Sequence, residues 1–151
     1  MSDSHFHSEV MEARGVPLEE SFRALGEGGA SWLIDIGIEP GTLGDRRGLC
    51  SSYEQTRFCS GIHPGSLHKR PLQESLRELE SDLGEGDVVG LGEAGLDWVK
   101  PQATAEEQRE AFAAQLELAN RLKKPIVIHN RGADADIYDL LENDPPVAGG
   151  I

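Results

Sequence analysis

Four short apolar runs, each separated from the next by a helix-length segment, constrain this chain more than any other feature. They are Trp32-Leu33-Ile34-Asp35-Ile36-Gly37, Arg57-Phe58-Cys59-Ser60-Gly61-Ile62, Asp87-Val88-Val89-Gly90-Leu91-Gly92 and Pro125-Ile126-Val127-Ile128. Such runs are too short for buried helices, and glycine or proline sits at their borders, so they read as strands buried on both faces. A further strand opens the chain and ends at His7. Parallel neighbours need a long crossover between them, and the intervening segments have the length for it.

The crossovers read as helices. Leu72, Leu76, Leu79 and Leu83 form one apolar stripe at helical period, with Pro71 at the start and Gly84 and Gly86 at the end. Thr104 followed by Glu107 has the form of a capping box, opening a helix to about Lys123. Its inner face carries Phe112, Leu116, Ala119 and Leu122, and Arg121, Lys123 and Lys124 suit its C-terminal dipole. Shorter helices are expected from Pro17 to Leu25, Arg46 to Gln55 and Ala133 to Glu142. The alternation predicts an α/β fold in one domain, residues 1–151, with a parallel sheet. An open doubly wound sheet would place a Gly-rich phosphate loop after its first strand, where this chain has His5-Phe6-His7.

The strand ends carry the chemistry. Residues two apart on a strand share a face, so His5 and His7 aim at one region, and paired imidazoles suit a borderline-soft divalent metal. Glu93, flanked by glycine, ends another strand and has room to bridge two cations. His129 ends the last run, and Arg131, two residues on, offers a planar fixed cation to a phosphate or carboxylate. His63, in the turn before Pro64, stands where it could touch a substrate or make a structural hydrogen bond. His68 is expected to be exposed.

Charge narrows the substrate. With 14 basic and 27 acidic side chains the net charge is −13, which argues against duplex binding through a basic patch but leaves room for positive charge supplied locally by metal ions. The acids Glu74, Glu78, Glu80, Asp82, Glu85 and Asp87 read as a solvated face. No apolar run is long enough to span a membrane, and the N-terminal residues show neither a basic start nor an apolar core, so the expected compartment is the cytoplasm. Cys50 and Cys59 are then reduced, with Cys59 packed in its strand.

Taken together, Asp3-Ser4-His5-Phe6-His7, Gly61-Ile62-His63-Pro64, Gly92-Glu93-Ala94-Gly95-Leu96-Asp97 and Pro125-Ile126-Val127-Ile128-His129-Asn130-Arg131 resemble the TatD-type metal-dependent deoxyribonucleases, as do Gln108, Phe112, Gln115, Leu116, Ala119 and Leu122. The resemblance implies a (β/α)8 TIM-barrel type of fold, of which about the first five and a half βα units are present as an incomplete barrel. It implies two divalent metal ions (zinc, magnesium or manganese), the first on His5 and His7, the second on His129, with Glu93 as the catalytic bridge between them. His63 and Arg131 would bind the substrate, DNA or a small phosphodiester, which metal-activated water would cleave. Gly65 stands where the family has a second histidine. The family pattern continues to a histidine on strand six and an aspartate on strand eight, and this sequence ends at Ile151. A barrel of this type needs more than about 200 residues. The expectation is therefore one weakly held metal, little turnover, and open edges that aggregate or recruit an oligomer or partner chain. A related hydrolase of esters, lactones or amides, or an inactive shortened product, are the competing readings.

Overall fold

The computed structural model describes residues 2–151. Its strands are β1 (Ser2–Phe6), β2 (Trp32–Ile36), β3 (Thr56–Ser60), β4 (Val88–Asp97) and β5 (Ile126–Arg131). They form one sheet in the order β1-β2-β3-β4-β5, every neighbouring pair parallel. The connecting helices are α1 (Ser8–Ala13), α2 (Leu18–Glu27), α3 (Leu43–Leu49), α4 (Leu72–Leu83), α5 (Ala105–Leu122) and α6 (Asp134–Asn143), with a 3-10 helix over Pro64–Lys69.

Two features separate a barrel winding from an open doubly wound sheet. Spatial order follows chain order without the reversal that a doubly wound sheet requires. The two core clusters also divide by face. The larger joins strand residues such as Leu33, Phe58, Leu91 and Ile126 to helix residues Phe22, Leu79, Phe112 and Leu116. The smaller contains strand residues alone, Ile36, Cys59 and Val127, with Ile34 and Val89 against them. Helices therefore cover one face, and the other face packs strand against strand, as the inside of a barrel does. After α6 the chain returns to the sheet: Gly150 bridges Ile126 in parallel, and Ile128 N–H donates to Ile151 O at 2.8 Å. This is the half unit beyond β5.

The helices follow local sequence where local sequence is decisive. Thr104 Oγ1 accepts from Glu107 N–H at 3.2 Å, and Glu107 Oε2 accepts from Thr104 N–H at 2.8 Å, completing the expected capping box. Elsewhere tertiary contacts set the boundaries. Helix α1 was not expected; it begins because Asp35 of β2 accepts from Ser8 N–H at 2.8 Å and Ser8 Oγ–H at 2.9 Å, satisfying donors that a first turn leaves open. Helix α3 begins and ends earlier than the expected Arg46 to Gln55, and Arg46 turns inward to Asp35, Nη1 to Oδ2 at 3.2 Å. β4 runs on to Asp97 rather than stopping at Glu93. The acidic face is not simply solvated: Asp87 and Glu85 grip Arg47, Glu80 pairs with Arg121, Glu78 pairs with Arg70, and Asp82 accepts from Ser60 and Gly41. Cys59 is buried as expected, and Cys50 is buried as well; desolvation pushes their thiols up to about 11 and about 12. His68 is exposed. Among the described residues no helix is long and apolar enough to cross a membrane.

Candidate metal centre

The site lies at the C-terminal ends of the strands, and its geometry starts from how Glu93 on the fourth strand reaches the first. Gly61 has no side chain, and a Cβ there would stand 2.5 Å from the Gly92 carbonyl carbon. β4 therefore closes over the end of β3, and Glu93 N–H donates to Gly37 O, just past β2, at 2.8 Å. From there Glu93 Oε2 lies 3.7 Å from His5 Nε2 and 3.5 Å from His7 Nε2. Its other oxygen, Oε1, is 2.7 Å from His129 Nδ1. One carboxylate thus faces an imidazole pair on one side and His129 on the other.

His129 is brought close by a second glycine. Gly95 pairs with His129 in the β4–β5 ladder at φ +153°, and a Cβ there would overlap the His129 carbonyl oxygen. Arg131 follows at the end of β5, half-exposed, with Nη1 3.9 Å from Asp97 Oδ2. His63 arrives from the turn after β3, its Nε2 3.2 Å from His129 Nδ1.

Ring tautomers decide which nitrogens can ligate. His7 Nδ1 lies 2.7 Å from Ile36 O, which can only accept, so Nδ1 carries the hydrogen and Nε2 turns a lone pair toward Glu93. This is the arrangement that fixes metal-binding imidazoles, whose second nitrogen donates to a backbone carbonyl or carboxylate. His63 is the opposite case. Gly65 N–H donates to His63 Nδ1 at 2.9 Å, so in the neutral ring the hydrogen sits on Nε2. Burial, then the neighbouring His129, lowers the His63 pKa to about 4, so the ring is neutral near pH 7. His63 presents an N–H to the site, suited to an oxygen of a substrate.

The electrostatics mark a place for positive charge. Burial would raise the pKa of Glu93, but the hydrogen bond from His129 together with the fields of His63, His129 and His7 outweighs it and holds the carboxyl below its usual range. The same bond to Glu93 raises His129 against the effect of its burial. Desolvation would raise Asp97, but Lys100 and Val99 N–H groups at 2.7 and 2.9 Å together with His129 hold it down.

Among the described residues two groups have ligand atoms close enough to hold a cation, His5-His7-Glu93 and His63-Glu93-His129, the atoms of each lying within 4.8 Å of one another. The first fits a divalent ion on donor chemistry: two imidazoles, one with its lone pair fixed inward, and a carboxylate. In the second, Glu93 and His129 supply the ligands that His63's tautomer does not. Among the described residues His129 Nε2 is buried without a hydrogen-bond partner, an orphaned lone pair or N–H that a bound ion with its ligands would settle. All six residues expected from the sequence, His5, His7, His63, Glu93, His129 and Arg131, converge here. Sequence reasoning gave no role to Asp97, whose Oδ2 lies 3.5 Å from His129 Nε2. Strand parity carried the signal, because Glu93 and Asp97 are four apart and face the same way once β4 continues.

Comparison with known proteins agrees with the fold. The family described as TatD related DNase matches residues 2–151. The "uncharacterized metal-dependent hydrolase YcfH" of Escherichia coli K12 is 33% identical over 113 residues, 74% of this chain and 41% of that protein. The "3'-5' ssDNA/RNA exonuclease TatD" of Edwardsiella piscicida is 40% identical over 87 residues, 56% of this chain and 33% of that protein. Among solved structures, the TatD homologue YJJV from Escherichia coli K12 superposes with a TM-score of 0.82 at 25% identity, covering 97% of this chain and 56% of its own. The chain thus spans less than half the length of these two curated relatives. With a match that runs from β1 through the segment after α6, the chain belongs to the TatD related DNase family.

Proposed function

We propose that this site hydrolyses phosphodiester bonds of DNA in a reaction dependent on two divalent cations. The observation that carries the reading is the division of Glu93, with Oε2 toward His5 and His7 and Oε1 toward His129. His5, His7 and Glu93 would hold the first cation, and Glu93 with His129 the second. Such ions supply charge against a phosphoryl oxygen and lower the pKa of a bound water.

The chain's own groups do the rest. Ile36 O holds His7 in its ligating tautomer. His63 Nε2–H donates to a non-bridging phosphate oxygen, and Arg131, free to swing from Asp97, receives the phosphate's charge as a planar fork. The −13 charge disfavours long duplexes and leaves short single strands as the better substrate, since attraction is confined to the site. The curated relative from Edwardsiella piscicida carries the name of a single-strand exonuclease. Imidazole and carboxylate donors accept zinc, manganese or magnesium. Reduced, buried Cys50 and Cys59 fit a cytoplasmic setting, and the edge strand β1 is where a second copy or another chain would pair.

The test is a cleavage assay on short single-stranded DNA with manganese, magnesium or zinc, beside a panel of lactones and carboxylic esters. Slow, metal-dependent shortening of the DNA that stops with a chelator is expected. Turnover of the ester panel with intact DNA would overturn the phosphodiesterase reading in favour of a related hydrolase.

A further inference from the structure

Helix α5 carries two fully buried glutamines on one face, Gln108 and Gln115, and neither packs as an ordinary core residue. Each grips the backbone of a residue at the site. Gln115 Oε1 accepts from Ile62 N–H at 2.8 Å, and its Nε2–H donates to Ile62 O at 3.1 Å and Ala111 O at 3.1 Å. Gln108 Oε1 accepts from Asp97 N–H at 2.9 Å, and its Nε2–H donates to Ala103 O at 3.1 Å and toward Asp97 O at 3.4 Å. Ile62 and Asp97 are the points where the chain leaves β3 and β4, so their peptide groups lack a complete strand partner. A side-chain amide, with one acceptor and one donor in a plane, substitutes for the missing strand.

The spacing fits the job. Ser60 pairs with Leu91, which sets Ile62 level with Glu93 and places Asp97 four residues higher, about 13 Å along the strand. Seven residues of α5, running back against β4, span about 10.5 Å. One helix can therefore reach both strand ends from a single face. The two residues it fixes flank His129: His63 follows Ile62, with Nε2 3.2 Å from His129 Nδ1, and Asp97 Oδ2 stands 3.5 Å from His129 Nε2.

We propose that Gln115 and Gln108 are positioning residues, setting His63 and Asp97 on the two sides of His129 from one helix face. The inference deepens the site reading above and rests on it for what His63 and His129 do. Loss of the Gln115 grip frees the Ile62-His63 turn, and with it the Gly65 N–H contact that selects His63's tautomer. Loss of the Gln108 grip frees Asp97 and changes what His129 Nε2 faces.

The experiment reads the imidazole nitrogens of the metal-free, histidine-labelled chain by NMR at one mildly alkaline pH. The variants are Gln115→Met and Gln108→Met. Gln115→Glu and Gln108→Glu are conservative versions that keep shape and acceptor but lose the donor when ionised. The expected result is selective. Gln115 variants lose the single-tautomer signature of His63, and Gln108 variants shift His129 while leaving His63 in place. Should the methionine variants not fold, the glutamate variants carry the same comparison. Lowered melting temperatures with both histidines keeping wild-type signals would overturn the proposal, as would both histidines moving together in every variant. Neither substrate nor cation is present, so failure here is separate from failure of the phosphodiesterase reading.

Discussion

Glu93→Gln is expected to abolish metal-dependent hydrolysis and to weaken divalent-ion binding by more than about 100-fold, since loss of an outer hydrogen-bond partner alone costs about 10- to 100-fold at such sites. The size follows from position. The carboxylate supplies a ligand atom to both candidate groups, so one substitution removes the only anion from each. The fold should survive, because glutamine has the same shape and the Glu93 backbone contact to Gly37 does not involve the side chain. His5→Ala is the contrast: it removes one imidazole from the first group and leaves His129 and Glu93 together. Calorimetric titration with manganese or zinc checks both. An unchanged affinity in Glu93→Gln would show that the ion sits elsewhere.

Asp35→Ala is expected to cost about 3–5 kcal/mol of stability, the usual penalty for stranding one partner of a buried ion pair. Asp35 and Arg46 are both fully buried, with Nη1 3.2 Å from Oδ2. Among the described residues Arg46 Nε and Nη2 have no hydrogen-bond partner, and beyond Asp35 the counter-charge near Arg46 is Glu9, whose Oε2 lies 4.0 Å from Nε, so Asp35 is the nearer of the two. The substitution also releases the Ser8 N–H and hydroxyl. Since Ser8 follows His7, the damage is expected to extend from stability to the first candidate metal group. In urea the midpoint should fall by about 2 M at a typical slope. Adding Arg46→Met should return much of the loss, because a buried pair replaced by apolar groups is often neutral or stabilising. A single-variant change below about 1 kcal/mol would mean that water already reaches Arg46 and screens it.

How much was legible in the sequence depended on whether the determining contact was local. The α4 leucines and the Thr104 box act within a turn or two, and both elements appear where the pattern places them. Likewise His5 and His7 follow from parity on one strand, whereas Glu93 and His129, expected at strand ends, lie within strands that run on to Asp97 and Arg131. Helices α1 and α3 were missed or displaced because both depend on Asp35, 27 positions from Ser8 and 11 from Arg46. From the sequence β4 is expected to end at Glu93, between Gly92 and Gly95. In the folded chain they mark close approach to Val127 and His129 within a continuous strand. The glutamines of α5 enter the sequence reading only as part of the family resemblance. Their function is visible only once Ile62 and Asp97 are seen to need partners.

The sheet order also sets the rates at which its amide hydrogens exchange with solvent. β4 is the longest strand, paired on both sides and buried along nearly all its length, whereas β1 is an edge strand with mostly exposed residues. Exchange should be slowest along β4 and fast along β1, following local opening rather than global unfolding. The first candidate metal group joins His5 and His7 at the end of β1 to Glu93 on β4. A bound cation would therefore act as a staple between the least and most protected parts of the sheet. Protection should rise in β1 and barely change in β4, making the edge strand itself a reporter of metal occupancy.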